Sequence, residues 1–570
     1  MNRNHLLQHP PRRWVTFAAG SVAVMAVAVL AACGGGGAGT TAAPAASPES
    51  TGLVSVAVTD APSADFDKVW VTIREIRFHK LDHAHPEDSD WLRYPLAQPV
   101  TVDLAQLANG NLASVFDNLQ LPVGTYRQIR LMLVDDDAVL VPSAQSAGLQ
   151  FNDQVDYTDA SGHAKVAPLE LGGVREGVGV FGTFTVTAAK PLRLVLDFDI
   201  DHDVVRFPDF GASSSGVAFT LKPGLRYFDL DTSAAIVGRV DTAGLASSSN
   251  PNGAFNLVIK AEELAADGSR HVVARATTIR PDGSFTLFPL HVPASAASRT
   301  FDVLVRGRNM ETTIIRNVPA VRGTTPAVNP TVVASSPLPV VASAEYTVSL
   351  GSPANPTGSW VNFFQTLPGA TEVPYEVRFR NVNPFTGDIG TPFPLSSGGL
   401  RIGNYVAGGD PVLAPVVPQE GAGAFASRAG AVQYTTSASV GVLPPSSGSN
   451  TTIAFPALGV DTAVAVAGSI DLKVATLTAA RYDKGQLVVS RFGSIVNSQS
   501  IDTALGNGGT VTMGNLPAGS AALPNPGAVY YAYVRVWNST TPLVRPRVVP
   551  VLAFADLRTN TSASLNVTLP

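Results

Sequence analysis

LRLVLDFDI, residues 192–200, alternates Leu192, Leu194, Leu196, Phe198 and Ile200 with Arg193, Val195, Asp197 and Asp199. A period of two belongs to an extended strand with one buried face. Alternation makes Asp197 and Asp199 face away from the core and leaves them available. The same pattern recurs upstream. Val54, Val56 and Val58 alternate with Ser55, Ala57 and Thr59, and Ile129, Leu131 and Leu133 alternate with Gln128, Arg130 and Met132. Short strands of this kind, divided by turn residues, predict sandwiches or barrels. Helical periodicity is scarce. The best helical candidate is Asp103–Asn118 (DLAQLANGNLASVFDN), interrupted by Asn109 and Gly110. The predicted fold class is mostly β, with tandem antiparallel β-sandwich domains.

Composition agrees with an extracytoplasmic β protein. Charged residues are 15% of the chain, and it holds 51 Gly and 43 Pro, a mixture rich in turns. The formal charge of −5 is spread without a basic patch, which argues against a nucleic-acid partner. Cys33 is the only cysteine in 570 residues, so no disulfide can form within the chain. Stability must then come from large apolar cores.

The first residues carry Arg3, Arg12 and Arg13 with no acid, and an apolar run from Val15 to Leu30 follows. That order is the order of a secretory signal. An uncleaved membrane span is the alternative, since the run is near the length a bilayer requires. Leu30, Ala31, Ala32 and Cys33 resemble the lipobox of bacterial lipoproteins, which implies a lipid on Cys33 and a membrane partner through it. By the same resemblance Gly34, where an aspartate would retain many such proteins at the inner membrane, implies the outer membrane. Residues 34–50, mostly Gly, Ala, Thr and Pro, read as a flexible tether.

Six ordered pieces follow the tether: VSVAVTDAPSADFDKVWVTIREIRFHK from Val54, Trp91, VDLAQLANGN from Val102, LPVGTYRQIRLML from Leu121, LRLVLDFDID from Leu192 and FTLKPGLRYF from Phe219. Together they resemble the bacterial lipoprotein domain known as domain of unknown function 4382, for which no activity is implied. Further on, IVGRVDTAG from Ile236, FNLVIKAEE from Phe255, RPDGSFTLFPL from Arg280 and FDVLVRGRN from Phe301 resemble the carboxypeptidase regulatory-like or transthyretin-like sandwich. There Asp282 and Gly283 make a tight turn, and Phe285 and Leu287 point one way into a core.

The expected organisation is a signal peptide (1–32), a tether (33–50), the first β domain (51–231), the regulatory-like sandwich (232–333), a β-rich region (334–465) and a C-terminal sandwich (466–570). Strands are expected at Tyr375–Arg380, Val464–Thr476 and Tyr530–Trp537, and a long loop at Gly408–Ala431. AGSIDL near Ala467 parallels VGRVDT near Val237, and LPAGS at Leu516 parallels LPVGT at Leu121.

Two constellations carry charge that chemistry could use. Asp60, Asp65 and Asp67, the run Asp135, Asp136 and Asp137, and the series Asp197, Asp199, Asp201 and Asp203 would hold Ca²⁺ if loops at one end of a sandwich converged. None has the spacing of a calcium loop, and Asp is common at strand ends, where it caps backbone amides. His79, His83 and His85, with Asp82 and Glu87 nearby, would supply nitrogen ligands to zinc or copper, or form an exposed polar loop. No nucleophile elbow, zinc-protease or phosphate-loop motif is present, and no catalytic residue is assigned. Trp70, Trp91, Trp360 and Trp537 are read as core rather than as a sugar platform.

The expectation is therefore a lipid-anchored envelope protein, not an enzyme, with a binding or scaffolding role, no cofactor, and a protein or glycan partner. Its rivals are a calcium- or zinc-dependent or carbohydrate-active enzyme and a purely structural spacer.

Overall fold

A computed structural model describes the chain from residue 50 to residue 569, apart from segments of which 208–217, 242–256, 382–392 and 454–464 are the longest. Cys33, His83, His85, Asp136 and Asp137 lie outside the described residues, as does the linker at 335–340. The protein is mostly β, in paired sheets.

In the first unit the strand Leu192–Asp199 lies parallel to Thr51–Ala61, from Val54 opposite Leu192 to Ala61 opposite Asp199. Arg226–Asp229 and Ala113–Pro122 complete that sheet on either side. An eight-stranded sheet, with Lys68–His79 and Gly124–Leu133 at its centre, packs against it. Val56, Leu194, Leu196 and Phe198 of one sheet and Ile76, Phe78, Ile129 and Leu131 of the other share one core. Phe78, Tyr126 and Phe184 meet inside it, the last two stacked with ring centroids 5.5 Å apart.

The helical expectation at Asp103–Asn118 is corrected. Only Leu104–Leu107 turns, as one 3₁₀ turn capped by the Asp103 carboxylate, and Leu104 and Leu107 go into the core. Asn109 and Gly110 both take positive φ, which ends the turn, and the alternation of the following residues continues as the strand Ala113–Pro122.

Three further units repeat one seven-stranded plan. In each, the first strand is central in a three-stranded sheet, flanked by an antiparallel fourth strand and a parallel last strand. In the second unit these are Ser233–Asp241, Ser284–His291 and Val332–Ala334. In the third they are Ser343–Leu350, Phe393–Ser396 and Asn450–Ile453. In the fourth they are Val466–Thr476, Gly509–Ala518 and Ser562–Leu569. Leaving aside Leu400–Asn404 of the third unit and the two-residue strand Ala555–Asp556, which pairs with Val529–Trp537 in the fourth, the remaining strands form the facing sheet, in the order third, second, fifth, sixth of the plan. In the fourth unit Ile470, Leu487, Met513, Val534 and Leu565 join both sheets in one core, and Ile236, Ile259, Leu287, Val303 and Ile315 do so in the second.

VGRVD at 237–241 and AGSIDL thus occupy the first strand of equivalent sheets. LPVGT and LPAGS do not correspond. The former lies at the junction of the strands Ala113–Pro122 and Gly124–Leu133, whereas the latter ends the strand Gly509–Ala518. The expected loop at Gly408–Ala431 is also corrected, because Gly421–Ala429 is a strand paired on both sides. Its Gly and Ala residues carry too little alternation to announce a strand. One strand crosses between units: Leu400–Asn404 pairs parallel with Thr312–Val321 and extends the facing sheet of the second unit.

Candidate functional site

The polar groups with the most constrained surroundings lie where the units meet. Strand alternation explains why. A half-buried strand that presents a charge on its outer face exposes it to water unless another sandwich covers that face.

Asp197 is the clearest case. Its neighbours Leu196 and Phe198 fill the core as expected, but Asp197 itself is only 1% exposed. The second unit covers it, which corrects the expectation of an available carboxylate. Arg275, on the strand His271–Thr278, is also 1% exposed and forms an ion pair with Asp197. Its Nη2 donates to the Asp60 carbonyl at 2.6 Å and to Thr59 Oγ1 at 3.3 Å. Asp60 is fully buried beside it. One oxygen accepts from the Ile200 amide at 3.1 Å, the other has no hydrogen-bond partner, and burial pushes the carboxyl well above its usual range.

Asp199 caps the following turn by accepting from the His202 amide, and it forms an ion pair with His202 at 2.7 Å. Burial opposes ionisation of both. The attraction between them more than offsets it, lowering Asp199 to about 2 and raising His202. The His202 ring lies against Phe379 of the third unit with centroids 3.7 Å apart, and Asn381 donates to the carbonyls of Asp201 and His202. Asp65 pairs with Arg380, and Asp67 accepts from Thr158 Oγ1 at 2.9 Å.

The seam between the second and third units is built on the strands Val258–Leu264 and Tyr375–Asn381. Lys260 Nζ donates to the Glu376 carbonyl at 3.1 Å, and Glu262 Oε2 accepts from the Glu376 amide at 3.1 Å. Two side chains of one strand thereby satisfy both backbone groups of a residue on an edge strand, as a neighbouring strand would. Burial, reinforced by Glu376 and partly opposed by Lys260, pushes the Glu262 carboxyl well above the usual carboxylate range. Nearby the His271 ring stacks on Tyr375 at 3.8 Å, and Tyr375 donates to Asp302 at 2.7 Å.

The seam between the first and fourth units follows the same logic. Gln128, Arg130 and Met132, expected on a solvent face, are at most 1% exposed. Arg130 donates to the Glu176 carbonyl at 2.7 Å, and Glu176 Oε1 accepts from Ser490 of the fourth unit at 2.7 Å. Arg535 of the fourth unit pairs with Glu170.

The metal candidates come together less than the charge pattern suggests. Among the described residues no group of three His, Cys, Asp or Glu side chains is arranged to hold a metal ion. Asp135 closes a turn through its backbone carbonyl, which accepts from the Ala138 amide and from Asn152 Nδ2. His79 is buried against Trp91, its Nδ1 accepts from the Leu81 amide at 2.9 Å, and burial lowers its basicity. Sequence reasoning missed Arg275, Lys260, Glu262, Arg130 and Arg535. The available signal was a charge at an outward position of an otherwise apolar strand, as in VIKAEEL and YYAYVRVW.

Comparison with known proteins returns distant matches. Solved structures similar to the chain include the Bacillus anthracis TIE protein (8% identity, 90% of this chain and 73% of that one, TM-score 0.13). A streptococcal ancillary pilin aligns at 11% identity over 59% of this chain and 98% of its own, TM-score 0.13. A Corynebacterium diphtheriae major pilin aligns at 10% identity over 90% and 99%, TM-score 0.11. No curated protein matches the sequence. Residues 51–223, close to the extent of the first unit, match the family described as Domain of unknown function (DUF4382).

Proposed function

We propose that this chain is a lipid-anchored protein of the cell envelope, held at the outer membrane through Cys33, whose sandwiches act as a non-enzymatic scaffold or binding array. We further assign the second unit to the carboxypeptidase regulatory-like or transthyretin-like sandwiches, on its DGSF turn and the parallel pairing of its first and last strands. The observation that carries the scaffold reading is the use made of buried charge. Arg275, Lys260, Glu262 and Arg535 are spent on joining one sandwich to the next. Such joints favour a fixed relative placement of the units over independent motion about linkers. A lipid of two or more chains would supply retention and residues 34–50 reach, while loops between strands offer surfaces to a protein or glycan.

Labelling of cells with an alkyne-bearing fatty acid, followed by extraction and mass measurement of the mature N-terminus, tests the anchor. An acylated Cys33 terminus and loss of label in Cys33→Ala are expected. An unlabelled protein that matures identically with alanine at 33 would refute it. Binding of the extracted protein to isolated cell-wall material and glycans separates a binding array from a pure spacer.

A further inference from the structure

Among the described residues Lys260 is the one buried lysine, at 5% exposure. Its surroundings hold more than the backbone contacts already described. Lys260 Nζ lies 3.5 Å from Glu376 Oε1, and Asn362 Nδ2 donates to Glu376 Oε2 at 2.7 Å. An amine from the second unit and a carboxamide from the third thus touch the two oxygens of one carboxylate. Glu376 is 5% and Asn362 8% exposed, so bulk water has little access.

That is the arrangement a proton shuttle between an amine and an amide nitrogen requires. A primary amine and an amide held against the two oxygens of one carboxylate are confined together at high effective concentration.

We propose that Lys260 and Asn362 form a covalent amide bond that joins the second unit to the third, with Glu376 as the proton carrier. Lys260 Nζ attacks Asn362 Cγ. Its proton passes to Glu376 Oε1, and Glu376 Oε2 returns a proton to Asn362 Nδ2. The Cγ–Nδ2 bond breaks, the Nζ–Cγ bond forms and one ammonia leaves. Glu376 ends in its starting state, and no electron donor or acceptor is needed. Closure of the bond requires Lys260 Nζ to move off the Glu376 carbonyl, a side-chain rotation within the seam.

Peptide mapping of the full chain, extracted with its anchor and denatured before digestion, tests this. The expected product is a branched peptide carrying Lys260 and Asn362, lighter than the sum of its arms by one ammonia. Lys260→Ala, Asn362→Ala and the near-isosteric Glu376→Gln should each yield only linear peptides. Digests of the wild-type chain in which both residues appear in linear peptides at full yield would overturn the proposal. Loss of one water with Glu376 in the branch would overturn it equally, by making Glu376 the acyl group. Should the alanine variants fail to fold, the wild-type digest and Glu376→Gln still decide.

Discussion

Replacing Arg275 with alanine removes the one cation fully buried against Asp197. Its guanidinium binds the Asp197 carboxylate, the Asp60 carbonyl and the Thr59 hydroxyl, so three acceptors of the first unit each lose one partner together. Breaking a buried ion pair from one side costs about 3–5 kcal/mol, most of it the desolvation of the charge left behind. Asp197 keeps Arg226 at 3.3 Å, a side chain 45% exposed, which places the loss near the lower end. A loss of about 3 kcal/mol is roughly a 150-fold change in the unfolding equilibrium. Urea unfolding of wild type, Arg275→Ala, Asp197→Ala and the double variant provides the assay. Each single change should cost more than half of what the double costs, giving a coupling of about 2 kcal/mol or more. Arg275→Met with Asp197→Leu should recover most of the loss, because apolar pairs often replace buried ion pairs without penalty. A cost for Arg275→Ala below about 1 kcal/mol, the range of exposed ion pairs, would refute the reasoning, as would strict additivity.

The seam at Glu262 should depend on pH. Its carboxyl is raised in the folded state from a usual value of 4.5, so folding binds a proton, and stability falls as pH rises above 4.5 towards the raised value. Glu262→Gln should flatten that fall, and a wild-type urea midpoint constant between pH 5 and pH 8, after correction for other groups, would contradict it. His202 works in the same direction, since its raised folded value gives stability below the usual 6.5 that is lost as pH climbs through the raised value; Asp199, held at about 2, protects the pair down to strongly acid conditions. Ser490→Ala should cost about 1–3 kcal/mol by removing the buried hydrogen bond that its hydroxyl donates to the Glu176 carboxylate, and an unchanged unfolding midpoint would remove that contact from the account. Gly519→Ala drives a Cβ into the Arg558 carbonyl oxygen and the Asn525 amide, and it should cost at least about 2 kcal/mol, measurable by thermal unfolding. Metal analysis of the protein beginning at Thr51 should return no stoichiometric calcium or zinc; metal that disappears on replacing Asp135, Asp136 and Asp137, or His83 with His85, would reverse that expectation.

The strands were legible where one face met a core and the next residue met something polar. Leu192–Asp199, Tyr375–Asn381 and Val529–Trp537 are strands for that reason. Gly421–Ala429 escaped because small residues on both faces leave no contrast to read, and Leu104–Leu107 mimicked a helix because two leucines three apart fit a single turn as well as a long one. The seams were not legible. Asp197 and Arg130 alternate as solvent-facing residues do, and nothing local reports that another sandwich, 78 residues from Asp197 in the case of Arg275, will cover the outer face. The second-to-third seam hides in the same way, since Lys260 and Glu262 would read as an ordinary solvated edge beside Ala261.

The parallel pairing of first and last strands bears on how these sandwiches take a load. In the fourth unit Val466–Thr476 runs alongside Ser562–Leu569, from Ser469 opposite Ser562 to Thr476 opposite Leu569. Tension that draws the start of the first strand away from the end of the last slides the two past one another. Every hydrogen bond between them is then strained at once, instead of opening singly from one end as in a hairpin pulled by its two tips. A chain tethered at one end and gripped at the other would therefore yield at its linkers and seams before its sandwiches.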